Sequence, residues 1–330
     1  MLKYLLAVLA ACANATSSVL QRKANREVPR KQNLSPRLIW SLAHQPTWFG
    51  GVLAITVGFL LQAAALGNGQ LSVVEPILVL ELPATLILAS WVFRTRLGRR
   101  EWACVVGLAA ALAALLFALS PSGGNTSGVR WYTWLIAIGA NLAVAGALVA
   151  CGRRWNAGRG KEDTAGGARR AAVLGVAAGS MFGLTAALMK GMTGTFTGGI
   201  AGVLTHWELY GMIATGLLGM FLLQSALNAG QLLAAQPGLT LTDPIVSILW
   251  GVLVFGERVR AGWFVVLAVA GMLVLAAAVV VLARSPMLSD QAEEDQGEEG
   301  QAEEDQGEEG QRVRKPSQRG RQSPRPVSDG

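Results

Sequence analysis

Nine times along this chain of 330 residues a run of about twenty residues passes with almost no charge. That is the length an α-helix needs to cross ~30 Å of hydrocarbon at 1.5 Å per residue. The runs read as spans over residues 2–21, 48–66, 71–93, 102–119, 131–150, 171–189, 209–229, 239–255 and 263–283. Hydrophobic residues make up 52% and charged ones only 15%, whereas about a quarter of a soluble domain is charged. A soluble enzyme is excluded first. Backbone groups find no water inside lipid, so each span must be helical and the expected fold is all-α and polytopic.

The net charge of +7 does not point to nucleic acid. More than half of the 21 acidic residues lie from Leu288 onward, so the basic excess belongs to the preceding residues, where it flanks the apolar runs as topology signals do. Of the 28 Lys and Arg, only Lys3, Arg130, Lys190, Arg258 and Arg260 fall on one side. Nine spans put the two ends on opposite sides. The charge bias then predicts a multi-pass protein of the cell inner membrane, with the N-terminus outside and the C-terminus cytoplasmic. Cys12, Cys104 and Cys151 stand singly, and no HExxH, nucleophile motif or phosphate loop is present. No catalytic residue, resident metal or cofactor is expected.

Two ends of the chain need their own reading. Met1-Leu2-Lys3, an apolar run and Ala13-Asn14-Ala15 resemble a signal peptide, and Leu9-Ala10-Ala11-Cys12 resembles a lipoprotein cleavage box. An uncleaved span is the preferred reading, because an internal repeat gives this segment a partner deep in the chain. Beyond Ser285 the decapeptide QAEEDQGEEG of residues 291–300 recurs unchanged at 301–310, followed by a basic Ser/Pro-rich stretch. Such a composition builds no core, so residues 285–330 are expected to form a disordered cytoplasmic tail.

The repeat emerges at an offset of 162, which lays His44 on His206 and Leu60-Leu61-Gln62 on Leu222-Leu223-Gln224. At an offset of 161, Gly69-Gln70-Leu71 meets Gly230-Gln231-Leu232, Pro76 meets Pro237, Pro83 meets Pro244 and Trp102 meets Trp263. A weaker match at 168 sets Ala7, Ala11 and Ala15 on Gly175, Gly179 and Gly183, small residues four apart that let helices approach closely. The expected organisation is a first four-helix repeat over 1–120, a linking helix and cytoplasmic loop over 121–170, and a second repeat over 171–284. One helix between two four-span units turns the second upside down, the plan of carriers whose midplane site faces alternate sides.

Ionisable groups inside the spans are few: Glu75, Glu81 and Asp243, with Glu101, Glu208 and Glu257 nearer span ends. A charged Asp at a helix centre costs ~2.5–3.5 kcal/mol on insertion scales, so such groups face a cavity or a partner. Glu81 and Asp243 lead as coupling or substrate residues, because each lies just before a matched helix-breaking proline, Pro83 or Pro244. A carboxylate beside a freed carbonyl can hold a proton or a cation. The plainer alternative makes Asp243 the cap of a half-helix. Asn14, Gln62, Asn141, Gln224, Asn228, Thr240 and Ser247 are candidates to line the path, most of them serving as interhelical hydrogen bonds. His44 and His206 read as interfacial anchors beside Trp48 and Trp207, with a pH sensor as the alternative, and Lys190 and Arg22 as snorkelling span-end cations.

With these residues in view the chain resembles the drug/metabolite transporter superfamily over about residues 1–284. The likeness rests on the two inverted four-span units, on Val19-Leu20-Gln21-Arg22-Lys23, on Gly69 to Pro76 and its counterpart Gly230 to Pro237, and on Phe255-Gly256-Glu257-Arg258. That last element is similar to the family's Gly-Glu motif closing a repeat; its first-half counterpart is Thr95-Arg96, without the acid. The 4+1+4 layout is similar to NIPA-type magnesium transporters, whereas EamA-type members usually have ten spans. The resemblance implies a secondary carrier of a small polar or cationic solute, working by alternating access in the lipid bilayer. A magnesium or divalent-cation carrier and a non-transporting scaffold with a charged tail stand as alternatives, and a homodimer is among the assemblies the layout allows.

Overall fold

The computed structural model describes residues 1–27, 45–95, 97–126, 129–157, 164–194, 199–229 and 232–283. His44 and the acidic tail lie outside them. In chain order the helices are α1 (Leu2–Glu27), α2 (Pro46–Asn68), α3 (Leu71–Leu78), α4 (Glu81–Val92), α5 (Arg99–Leu119), α6 (Trp131–Ala157), α7 (Thr164–Thr193), α8 (Gly199–Thr205), α9 (Trp207–Ala229), α10 (Leu232–Leu253) and α11 (Trp263–Ala283). Two residue pairs form an antiparallel ribbon, β1 (Ser122–Gly123) with β2 (Glu257–Arg258).

Among the described residues eight segments are long and apolar enough to cross a bilayer, with α3 and α4 counted as one. The chain is thus an all-α, multi-pass membrane protein. The remaining long helix, α10, has 22 residues, lies outside those eight segments and carries Gln236, Thr240, Thr242 and Asp243. Large apolar side chains stand outward where lipid would lie: Ile136 on α6, Leu217 and Phe221 on α9, Leu273 on α11. A surface of this kind is tolerated only in a hydrocarbon solvent.

Local chemistry sets the helix ends. Pro46 opens α2, where its missing N–H costs nothing. Glu101 reaches back to the Gly98 amide to start α5, which stops at Ser120 in a left-handed conformation. The run expected as one span over 71–93 is two helices. Pro83 cannot donate to the carbonyl of Val79, its partner one turn back. The Leu82 amide takes that carbonyl at 3.2 Å, so the chain tightens through Val79 and Leu80.

Helix α7 is the spine, packing on α6, α9, α10 and α2. Gly175, Gly179 and Gly183 form its contact stripe with α10: a Cβ at Gly179 would sit 2.6 Å from the Leu239 carbonyl oxygen, and one at Gly183 2.9 Å from Val246 Cβ. Ala7, Ala11 and Ala15 on α1 are equally buried, and α1 packs along α2 and against α3 and α4. Both stripes serve close helix approach, as the sequence pattern suggests. Helix α5 packs on α11, and α3 on α10.

Candidate functional site

The break between α3 and α4 sets a carboxylate on either side of it. Glu75, on α3, is 4% exposed and accepts a 3.0 Å hydrogen bond from Gln62 Nε2 of α2. Glu81, at the start of α4, has the side-chain amide of Asn14 on α1 as its polar neighbour. Asn14 fits because Gly58 on α2 has no side chain; a Cβ there would run into its carbonyl oxygen. Asp243, on α10, lies close enough to Glu75 for the two carboxyls to interact electrostatically, with Ser247 Oγ one turn on at 3.5 Å. Glu75 and Asp243 thus form a pair of acids between α3 and α10 with amide and hydroxyl partners, and Glu81 stands on the other side of the break. Such a pair can hold a proton, a monovalent cation or an amine.

The other path-lining candidates are dispersed. Asn141 Nδ2 donates to the Ser180 carbonyl at 3.2 Å and ties α6 to α7. Gln224 and Asn228 stand exposed on α9, and Thr240 is half-buried on α10. Pro244 is buried inside α10, which runs on as one helix, so the matched prolines act differently: only Pro83 accompanies a break. Among the described residues no three His, Cys, Asp or Glu side chains gather as metal ligands.

A second charged cluster closes one end of the bundle. The carboxylate of Glu257, fully buried in β2, caps the start of α3: it accepts from the Leu71 amide at 2.7 Å, the Ser72 amide at 3.0 Å and the Ser72 hydroxyl. These are amides a helix start leaves without internal acceptors, and the helix dipole favours an anion there. Lys190 Nζ at the end of α7 lies 3.5 Å from Glu257, donates to the Gly69 carbonyl and sits over the Phe255 ring. Lys190 is 5% exposed, so it does not snorkel. Arg22, which the 168 offset sets on Lys190, lies over the ring of Phe93. Lys3 donates to Gln70 beside the same cluster. The Gly-Glu motif pointed at Glu257, while nothing in the sequence joined it to Lys190. Glu75 was visible as an intramembrane acid, and it directly precedes Pro76, the match of Pro237, so the signal that singled out Glu81 and Asp243 was present for it as well.

An uncharacterized protein of Corynebacterium glutamicum is 31% identical to this chain over 291 residues, which is 85% of this chain and 96% of that protein. No family model matches the chain, and no solved structure matches it. With nearly the whole length of the relative aligned at that identity, this chain belongs to the same family as that corynebacterial protein.

Proposed function

We propose that the protein is a secondary transporter of the drug/metabolite transporter type, moving a small polar or cationic solute by alternating access. The observation that carries this reading is the pair of acids Glu75 and Asp243, with Glu81 just beyond the break, inside an apolar bundle. At ~2.5–3.5 kcal/mol for an acid at the centre of a span, such groups persist where a solute or coupling ion uses them. The broken α3–α4 segment adds support, since irregular backbone at membrane depth is tolerated only where protein or a cavity satisfies it.

In this reading α10 is a ninth crossing, and the units 1–120 and 171–284 are inverted copies of each other. Supporting it, α1 packs along α2 and α3–α4 much as α7 packs along α9 and α10, and the matched helices α5 and α11 meet. Lys3 and Lys190 gather at one end, the end the positive-inside rule assigns to the outside.

The test begins with a thermal-shift screen on detergent-solubilised protein, in which a bound solute raises the melting point. Uptake of the hit into vesicles is then compared between wild type and Glu75→Gln, Glu81→Gln and Asp243→Asn. Each variant is expected to lose at least tenfold in rate with insertion unchanged. If proton-coupled, each unit of pH difference drives about 1.36 kcal/mol of accumulation per proton. Wild-type rates in all three variants would remove the cluster from the mechanism. Flux that survives deletion of residues 286–330 separates a carrier from a scaffold.

A further inference from the structure

At the end of the bundle where α6 and α9 begin and α7 finishes lies a cavity of about 550 Å³, lined by none of Glu75, Glu81 and Asp243. Its walls include the indoles of Trp131, Trp134 and Trp207, with His206, Glu208 and Thr126. The volume is that of a small-molecule site, which is typically ~300–1,000 Å³. Trp134 is 7% exposed and is held by edge-on contact with Trp207 at 5.3 Å and with Phe255 at 5.7 Å. This ring is set in place rather than drifting at a lipid interface.

Glu208 supplies the charge. Its Oε2 is buried, makes no hydrogen bond and has His206 Nδ1 at 3.5 Å as an ion-pair contact, with the His206 side chain 46% exposed. A carboxylate oxygen shut from water without a donor is costly to keep, and a cation that needs no hydrogen-bond geometry would meet it. Aromatic faces attract the same kind of cation through their ring quadrupoles, more strongly when both sides are desolvated. We infer that the Trp131, Trp134, Trp207 and Glu208 pocket binds an organic monocation, a quaternary or alkylated ammonium group, from the water at this end of the bundle. An interfacial belt alone accounts for the exposed Trp131 and Trp207, but it gives no reason for the buried Trp134 or the undonated Glu208. The inference is independent of transport: the pocket binds whether or not the acidic cluster carries solute.

Radiolabelled choline is the probe, with binding measured on the full chain in a maltoside detergent. Saturable binding is expected, weakened at least tenfold by Glu208→Gln and by Trp207→Leu, and unchanged by Glu81→Gln and Asp243→Asn. The neutral carbon isostere of choline should compete at least tenfold less well. Loss of choline binding when the protein sits in phosphatidylcholine nanodiscs, but not in anionic ones, would name a lipid head group as the natural source of the same cation. Absent saturation in wild type, full binding by both Glu208→Gln and Trp207→Leu in correctly folded form, equal competition by the isostere, or loss on Glu81→Gln instead would each overturn the assignment.

Discussion

Lys190 shows how far a single residue can depart from what its neighbours in sequence suggest. An ammonium near a span end ordinarily reaches for water, yet here it is enclosed with Glu257, 67 positions further along the chain. Removing one member of a buried pair strands the other, at a cost of about 3–5 kcal/mol. Lys190→Met and Glu257→Gln are each expected to lower unfolding stability by that amount, and the double variant by clearly less than their sum; a double-mutant cycle on the solubilised protein reads this. Strict additivity would mean that the two groups do not depend on each other. Glu81 and Asp243 were legible because an acid inside an apolar run is conspicuous by composition alone. The pairing of Glu75 with Asp243, and of Lys190 with Glu257, was not, because both depend on which helices meet.

At the level of elements, periodic small residues proved readable and local breaks did not. The Gly175, Gly179 and Gly183 stripe is a contact surface, so Gly179→Ala must push α7 from α10 and should cost about 1–3 kcal/mol. Gly139→Ala on α6, where a Cβ meets nothing within 4 Å, should be neutral or gain up to ~1 kcal/mol from helix propensity. Equal melting points for the two would refute close packing at Gly179. Helices α3 and α4 looked like one span because their hydropathy is continuous; the interruption comes from one missing amide at Pro83. The same residue type at Pro244 leaves α10 whole. Pro83→Ala restores the donor and is expected to slow uptake while raising the melting point. An unchanged uptake rate would mean that the break plays no part in the conformational cycle. The short ribbon had no signal at all, as two residues are too few for a period.

Across the whole molecule, the β1–β2 pairing ties the turn after α5 to the turn before α11, with the Asn125 amide on the Phe255 carbonyl at 2.9 Å and the Arg260 amide on that of Leu119 at 3.0 Å. Opposed strand residues have Cα atoms ~4.5–5.5 Å apart, within reach of a disulfide. In a chain with Cys12, Cys104 and Cys151 replaced by Ser, oxidising Ser122→Cys/Arg258→Cys should hold this end shut and stop net uptake, and dithiothreitol should restore it. Undiminished flux through the cross-linked form would mean that this end does not open.

Trp134 touches both neighbourhoods at once: Trp207 on the pocket side, and Phe255, over which Lys190 rests, on the other. Among the described residues it and Trp250 are the buried tryptophans, 5.5 Å apart. In a chain whose other eight tryptophans are replaced by Phe, this pair excited in the ultraviolet would emit at the blue edge of the spectrum while both flanks stay closed. A shift toward the red, without any attached dye, would time the moment when either flank admits water.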